Sequence, residues 1–260
     1  MLRFTANLSL LFTELLLPER FEAAKQHGFA AVEIQFPYTL PAEQIRDLLD
    51  QHDLQLVLFN VDADDLLQGG EGLAAVPEKR GQFKAAVEQA LVYAQRLQPN
   101  LINVLPGCCH DLPRLAEYQT TFEENLASAA SAFAALGVKT VFEAVNSFDM
   151  PHFIIDSSAG MLDVLAKLDQ PNLGMQYDIY HMSRMGEDCA EFLRQHLDKI
   201  GHIQFADCPG RHQPNTGAID FDKLFDIIAA SGYQGWVGAE YLPKANTVAS
   251  LDWLKTYAAR

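Results

Sequence analysis

Four side chains that carry oxygen donors stand at corresponding points in the second half of the chain. Glu143 closes the run TVFE, Asp178 closes GMQYD, Gln204 sits late in HIQFAD, and Glu240 closes WVGAE. Each follows a short apolar run, and none of the four runs contains lysine or arginine. Carboxylates set among apolar residues are costly unless they are paired, protonated or bound to a metal. Three acids and an amide without local cations therefore point to a hard divalent cation. An all-oxygen set suits Mg²⁺ or Mn²⁺ better than Zn²⁺, which favours nitrogen and sulfur. For any single acid, a helix cap or an ion pair with a distant base competes with this assignment; the set as a whole favours metal.

His181 follows Asp178 by three residues in DIYHM, within reach of the same place, where it could hydrogen-bond a substrate oxygen or an acid. Arg211 and His212 lie in PGRHQPNTG, after the Gln204 run. The planar fork of Arg211 suits a substrate carboxylate, although spacing alone allows a surface ion pair just as well. Lys244, after EYLP, is a weaker candidate of the same kind. His110, His152 and the adjacent Cys108 and Cys109 are left without a role, because a nucleophilic thiol needs a positioned base. Phe142 and Trp236 read as core.

Only a fold that gathers strand ends can bring these side chains together. Eight short, mostly apolar runs are expected as strands, at residues 3–8, 31–36, 55–60, 101–105, 140–144, 174–178, 202–206 and 236–240. Helical periodicity fills stretches between them, at 18–27, 42–52, 81–97, 120–136 and 221–231. Gly28, Gly137 and Gly232 each stand between a helix and a strand, where a left-handed cap suits glycine. A loose repeat runs glycine, apolar strand, glutamate in GFAAVEI, GVKTVFEA and GYQGWVGAE. Eight β-helix units predict one parallel (β/α)₈ TIM barrel over residues 1–260, close to the ~250 residues such a barrel needs. An open doubly wound sheet is the alternative, but no G-x-G-x-x-G follows the first strand. The longer strand-to-helix connections, 61–80, 106–117, 145–157 and 207–220, would then build the mouth. Residues 61–80, with Gly69, Gly70 and Gly72, are the candidate lid.

Composition narrows the partners. Against 19 basic residues stand 34 acidic ones, a net charge of −15 that opposes nucleic acid and anionic membrane, so the expected partner is a small-molecule substrate. Residues 8–17 resemble a signal-peptide core, but Ser9, Thr13 and Glu14 interrupt them, and no later apolar run reaches the ~18 residues of a membrane span. Four cysteines with no C-x-x-C spacing fit a reducing compartment without disulfides, and a cytoplasmic location is expected. A homo-oligomer is compatible with all of this.

These motifs, taken together, are similar to those of the hydroxypyruvate isomerase family, within the wider xylose-isomerase-like barrels. The resemblance spans nearly the whole chain and is sharpest in VFEAVN, QYDIYHM, HIQFADCPGRHQPNTGAIDF and GYQGWVGAEY. It implies that Glu143 and Glu240 are the catalytic pair and also touch the metal, with Asp178 and Gln204 as the other ligands. Many wider relatives carry histidine where Gln204 stands. His181 and Arg211 match positions expected to contact substrate. One departure is RHQPNTGAI, where relatives read closer to RHEPDTGEI. Gln213, Asn215 and Ala218 thus replace acids, which bears on substrate preference.

The implied reaction is proton transfer between adjacent carbons of a small hydroxy-carbonyl acid through an enediolate, with hydroxypyruvate to tartronate semialdehyde as the first case. The same site could serve a 2-oxotetronate isomerase or a ketose 3-epimerase. An apurinic endonuclease would need zinc, more histidines and a cationic groove. In a metal-stabilised binding protein, the acids would only hold structure.

Overall fold

The apolar runs pair side by side in chain order. In the computed structural model, which describes residues 1–258, β1 (Phe4–Asn7), β2 (Ala31–Ile34), β3 (Gln55–Asn60), β4 (Leu101–Val104), β5 (Lys139–Glu143), β6 (Leu173–Asp178), β7 (Ile200–Phe205) and β8 (Val237–Ala239) form a closed barrel. All pairings are parallel, and β8 closes on β1 through Phe4↔Val237, Thr5↔Gly238 and Ala6↔Ala239. The chain is thus a (β/α)₈ TIM barrel, as the alternation of β and helical runs predicts.

The major helices are α1 (Leu17–Gln26), α2 (Ala42–Gln51), α3 (Arg80–Leu97), α4 (Leu115–Ala134), α5 (Ser158–Leu168), α6 (Ile179–Arg184), α7 (Cys189–His196), α8 (Phe221–Ala230) and α9 (Asp252–Tyr257). Gly28, Gly137 and Gly232 have φ of +94°, +71° and +79°, the left-handed turn that returns the chain from helix to strand. Two parts depart from the periodicity reading. The fourth helix begins at Leu115, inside the stretch expected to be loop, because Tyr118 turns inward and its hydroxyl donates to Glu71 at 2.9 Å. The short helices α6 and α7 interrupt the connection from β6 to β7, and each is started by an aspartate cap, Asp178 and Asp188.

Alternation along the strands separates two layers inside the barrel. Leu58, Leu101 and Val141 cluster with Ala31 and Val57 as a small apolar core. Each of the first three lies two residues before a polar one, Asn60, Asn103 or Glu143, and so shares its face of the strand. The buried polar residues Asn7, Glu33, Gln176, His202 and Gln204 belong to the strands as well. Outside the barrel, strand and helix faces pack through aromatic contacts such as Phe4 and Phe205 against Trp253, with centroids 5.2 and 5.1 Å apart. Barrel interiors are usually filled with branched apolar side chains. A polar upper layer here needs a chemical reason.

All four cysteines are free. No helix among the described residues is long and apolar enough to cross a membrane.

Candidate active site

The four oxygen-bearing residues arrive on consecutive strands. Glu143 is the last residue of β5, Asp178 the last of β6, Gln204 lies one before the end of β7, and Glu240 follows β8 directly. Register aligns Glu143 with Gln176 and Asp178 with Gln204. Glu143, Gln204 and Glu240, together with Gln176, His181 and Arg211, line a cavity of about 150 Å³ at the C-terminal end of the barrel. A cavity of roughly that size holds a benzene-sized guest, so the space suits a short-chain molecule.

A hydrogen-bonded belt fixes the carboxylates and amides. Gln176 Nε2 donates both to Glu143 Oε2 at 2.8 Å and to Gln204 Oε1 at 2.7 Å. Asn103 Nδ2 adds a longer bond to Glu143 Oε2 at 3.3 Å. On the other side, Gln204 Nε2 donates to Glu33 Oε2 at 2.8 Å, while Glu33 Oε1 faces His202 Nε2 at 2.7 Å. Glu33 is fully buried, and a Cβ at position 238 would collide with its carboxylate, so glycine in β8 is what admits it. With its nitrogen engaged by Glu33, the Gln204 amide turns its oxygen to Gln176, which bridges it to Glu143. Glu240 Oε1 accepts from Gln35 Nε2 at 2.6 Å and from Asn7 Nδ2 at 3.2 Å.

Asp178 divides its two oxygens between two tasks. Oδ1 caps α6, accepting from Tyr180 N at 2.7 Å and more weakly from His181 N at 3.4 Å. Oδ2 is buried and has no hydrogen-bond partner among the described residues. The cap and the site ligand, which compete as explanations of this acid in the sequence, are compatible because each uses a different oxygen.

His181 is buried behind the acids, with Nε2 3.7 Å from Asp178 Oδ2 and 3.9 Å from Glu143 Oε1. Asn146 assigns its tautomer. Asn146 Oδ1 accepts from Phe148 N and Asp149 N at 3.1 and 2.9 Å, which places Nδ2 2.6 Å from His181 Nδ1. Nδ1 is then the acceptor and the ring proton sits on Nε2, facing the cavity. Burial and the nearby Arg211 charge hold the His181 pKa well below its ordinary value, so the ring stays neutral.

Arg211 supplies the cation missing from the strands. The loop after β7 winds around the buried Asp207, whose carboxylate accepts from the backbone nitrogens of Cys208, Thr216, Gly217 and Ile219. Arg211 sits in this loop at φ +55°, its backbone pinned to Asp207 O and to Leu242 N. Its guanidinium lies 5.3 Å from the centroid of the Tyr180 ring and 3.5 Å, Nη2 to Oε2, from Glu240, while Nε is buried without a hydrogen-bond partner among the described residues. By contrast, Gln213 and Asn215 serve the loop itself, through Lys244 N and the Tyr257 hydroxyl, and neither they nor Ala218 lines the cavity. Lys244 is exposed, and like His110, His152, Cys108 and Cys109 it is not among the residues that line the cavity.

Electrostatics follow from burial. Burial pushes Glu143 well above the ordinary carboxylate range, and the charges of Glu240 and Asp178 push the same way. Burial raises Asp178 against the opposing pull of Arg211. Glu240 is raised to about 7, again by burial first, with Arg211 opposing and Asp178 and Glu33 adding to the rise. Burial works against the Arg211 charge, but Glu240, Asp178 and Glu143 outweigh it and hold its pKa above the ordinary value. Three mutually repelling carboxylates around one arginine leave the site short of positive charge.

Glu143, Asp178 and His181 form a buried triad whose candidate donor atoms lie within 4.8 Å of one another and which could hold a metal ion; with the His181 proton on Nε2, the ligands this tautomer offers are the two carboxylates. The partnerless Asp178 Oδ2 and the raised carboxylate pKa values are what a cation would relieve. Glu240 is not part of that close triad, because Gln35, Asn7 and Arg211 draw its carboxylate to their side. The loop expected as a lid contributes Leu66 and Leu67 to the cavity wall and is tied down by Lys79 to Asp64 and Asp65, and by Glu71 to His110 N and Tyr118.

The residues that hold the site from behind, Asn7, Gln35, Gln176, Asn146 and Glu33, escape motif reasoning. For Glu33 a signal exists: it is the glutamate of GFAAVEI, the first copy of the repeat whose other copies carry Glu143 and Glu240.

Comparison with known proteins shows the family and the fold. The family model for the xylose isomerase-like TIM barrel matches residues 21–257. The chain is 39% identical to hydroxypyruvate isomerase of Escherichia coli over 257 residues, covering 99% of this chain and all of that protein. It is 38% identical over 258 residues to 2-oxo-tetronate isomerase of Cupriavidus necator, covering 99% of each. Among solved structures it superimposes on a Brucella melitensis protein named AP endonuclease, family 2, with a TM-score of 0.95, 34% identity and 99% of each chain covered.

Proposed function

The chain belongs to the xylose isomerase-like TIM barrel family and is an isomerase of the hydroxypyruvate and 2-oxo-tetronate isomerase group; on that premise we propose that it moves a proton between adjacent carbons of a short hydroxy-oxo acid, with a divalent cation held by Glu143, Asp178, Gln204 and Glu240. The observation that carries this reading is the pair of buried glutamates, one from β5 and one after β8, facing a single small cavity whose only lining cation among the described residues is Arg211.

The residues divide the work. When bound, Mg²⁺ or Mn²⁺ supplies Lewis-acid neutralisation of the negative charge that develops on the substrate oxygens. One glutamate of the Glu143–Glu240 pair removes the proton next to the carbonyl, and the other delivers a proton to the former carbonyl carbon; the hydroxyl proton passes to the former carbonyl oxygen, so the hydroxyl becomes the new carbonyl and the carbonyl the new hydroxyl. Burial raises both carboxyls above the ordinary range, Glu240 to about 7, and a carboxyl shifted in that direction takes up a proton more readily than an exposed one. Neutral His181 donates its Nε2 hydrogen to a substrate oxygen, with Asn146 fixing the tautomer. Arg211, which lines the cavity, binds the substrate carboxylate through its planar fork. Hydroxypyruvate to tartronate semialdehyde is the first case, and 2-oxotetronate uses the same groups.

An endonuclease, the name carried by the B. melitensis structure, fits this cavity poorly. The net charge of −15 opposes a polyanion, and a space of about 150 Å³ suits a small molecule. The test is turnover of hydroxypyruvate and 2-oxotetronate by purified protein. Activity should vanish with a chelator and return with Mg²⁺ or Mn²⁺. Arg211→Lys should raise KM about 10-fold or more, because a point charge replaces a two-pronged, charge-assisted contact. Turnover unaffected by chelation, or an unchanged KM in the arginine variant, would remove the corresponding part of the reading.

A further inference from the structure

Glu33, in β2, is fully buried and is not among the residues that line the cavity. A carboxylate kept there needs a reason, because burial removes the water that would solvate it. Both of its oxygens are engaged, facing His202 Nε2 at 2.7 Å and Gln204 Nε2 at 2.8 Å, and Gly238 leaves out the side chain that would collide with them. The His202 proton belongs on Nε2. Nδ1 is buried with no hydrogen-bond partner among the described residues, so a proton there would have no acceptor.

From Glu33 the bonds run in one direction. Gln204 turns its nitrogen to Glu33, so its oxygen is what meets Gln176. Gln176 must then donate, and the same Nε2 atom gives its other hydrogen to Glu143 Oε2. A carboxylate stands at each end of this chain, and the orientation of both amides follows from the first bond. Its by-product is visible: Gln176 Oε1 is buried with no hydrogen-bond partner among the described residues. Turning both amides over would give that oxygen a donor from Gln204, but would set it against the Glu143 carboxylate and a second nitrogen away from Glu33. An orphaned acceptor is the lesser fault.

We propose that Glu33 is a positioning residue: by accepting from Gln204 it sets the direction of the Gln204–Gln176 amide pair, and so keeps an N–H group rather than a carbonyl on Glu143. An amide at position 33 does not enforce that direction. Glu33→Gln offers Gln204 a nitrogen as readily as an oxygen, and either choice disturbs the chain. Nitrogen toward Gln204 reverses the two amides, whereas nitrogen toward His202 moves the ring proton to the partnerless Nδ1. The functional consequence rests on the reading of Glu143 and Gln204 as metal ligands.

The orientation can be read without metal or substrate, from the Gln176 side-chain amide signals in NMR spectra of the metal-free protein. Both amide hydrogens are bonded in the wild type and should exchange slowly with solvent, and Glu33→Gln should speed that exchange about 10-fold or more. Gly238→Ala reaches the same end while keeping the acid, because its methyl displaces the movable end of Glu33, and it serves as the test if Glu33→Gln does not fold. Calorimetric Mn²⁺ affinity should fall about 10-fold or more in either variant, the usual effect of losing a group that orients metal ligands. Gln176→Met, which removes the donor itself, should fall by a similar amount. Combined with Glu33→Gln it should lose no more than the larger single loss, because one residue acts through the other. Unchanged Gln176 exchange in both variants, unchanged Mn²⁺ affinity, or losses that multiply overturns the positioning role. A wild-type protein that neither binds Mn²⁺ nor turns over, with Gln176 exchange still governed by position 33, counts against the metal-dependent reading alone.

Discussion

Glu143→Gln is expected to lower kcat on hydroxypyruvate or 2-oxotetronate by about 10²–10⁴-fold, the usual contribution of a positioned acid–base group. The substitution keeps the volume and can retain the bonds from Gln176 and Asn103, so the circular dichroism spectrum should be unchanged. Glu240→Gln should show a loss of the same order, because the two carboxyls act on the same proton transfer from different strands. In the double variant the losses should not multiply, since groups that act as a unit fail together. Steady-state kinetics with metal at saturation separates this from weakened metal binding. Full activity in either single variant at saturating metal removes that glutamate from the proton relay.

The metal-free protein should lose stability as the pH rises from about 5 to 8. Its site carboxylates are more easily protonated in the folded than in the unfolded state, Glu240 at about 7 against an ordinary value near 4.5. Between those two values the folded state holds protons that the unfolded state has released, so stability is greatest below the unfolded value and falls as pH climbs through the folded one. For Glu240 alone the difference corresponds to roughly 3 kcal/mol. In a chain of this size that is on the order of 5–10 °C in Tm. The carboxylates titrate as a set, so the measured profile belongs to all three. Saturating Mn²⁺ or Mg²⁺ should flatten the slope, raising Tm more at pH 8 than at pH 6, because a cation binds the deprotonated acids. Thermal melts with and without chelator check this. A metal-free Tm that climbs between pH 5 and 8 would show that the acids are not strained by burial together.

The sequence was most legible where one physical rule acts alone. All eight strands lie where short apolar runs predict them, and β3 spans residues 55–60 in both readings, since burial on both faces leaves a clear apolar signature. The acids at the strand ends were equally visible, because Glu143, Asp178 and Glu240 are out of place among apolar neighbours. What escaped was whatever depends on contacts between distant strands. Glu33 meets His202 and Gln204 some 169 and 171 residues away, and nothing local marks it beyond its place in the glycine-to-glutamate repeat. Arg211 reaches Glu240 only because the loop turns through a left-handed residue around Asp207, a geometry that spacing does not reveal.

The proton relay can be tested most directly by running the reaction in D₂O and reading the product by NMR and mass spectrometry during the first turnovers. With one carboxyl taking the proton and a second, solvent-equilibrated one delivering another, the carbon that gains hydrogen should carry deuterium from the first turnover, and both glutamine variants should lose that incorporation along with turnover. A product that keeps the substrate's own hydrogen on that carbon, formed at full rate with no solvent deuterium, would mean that hydrogen moves directly between the carbons and that Glu143 and Glu240 do not relay it.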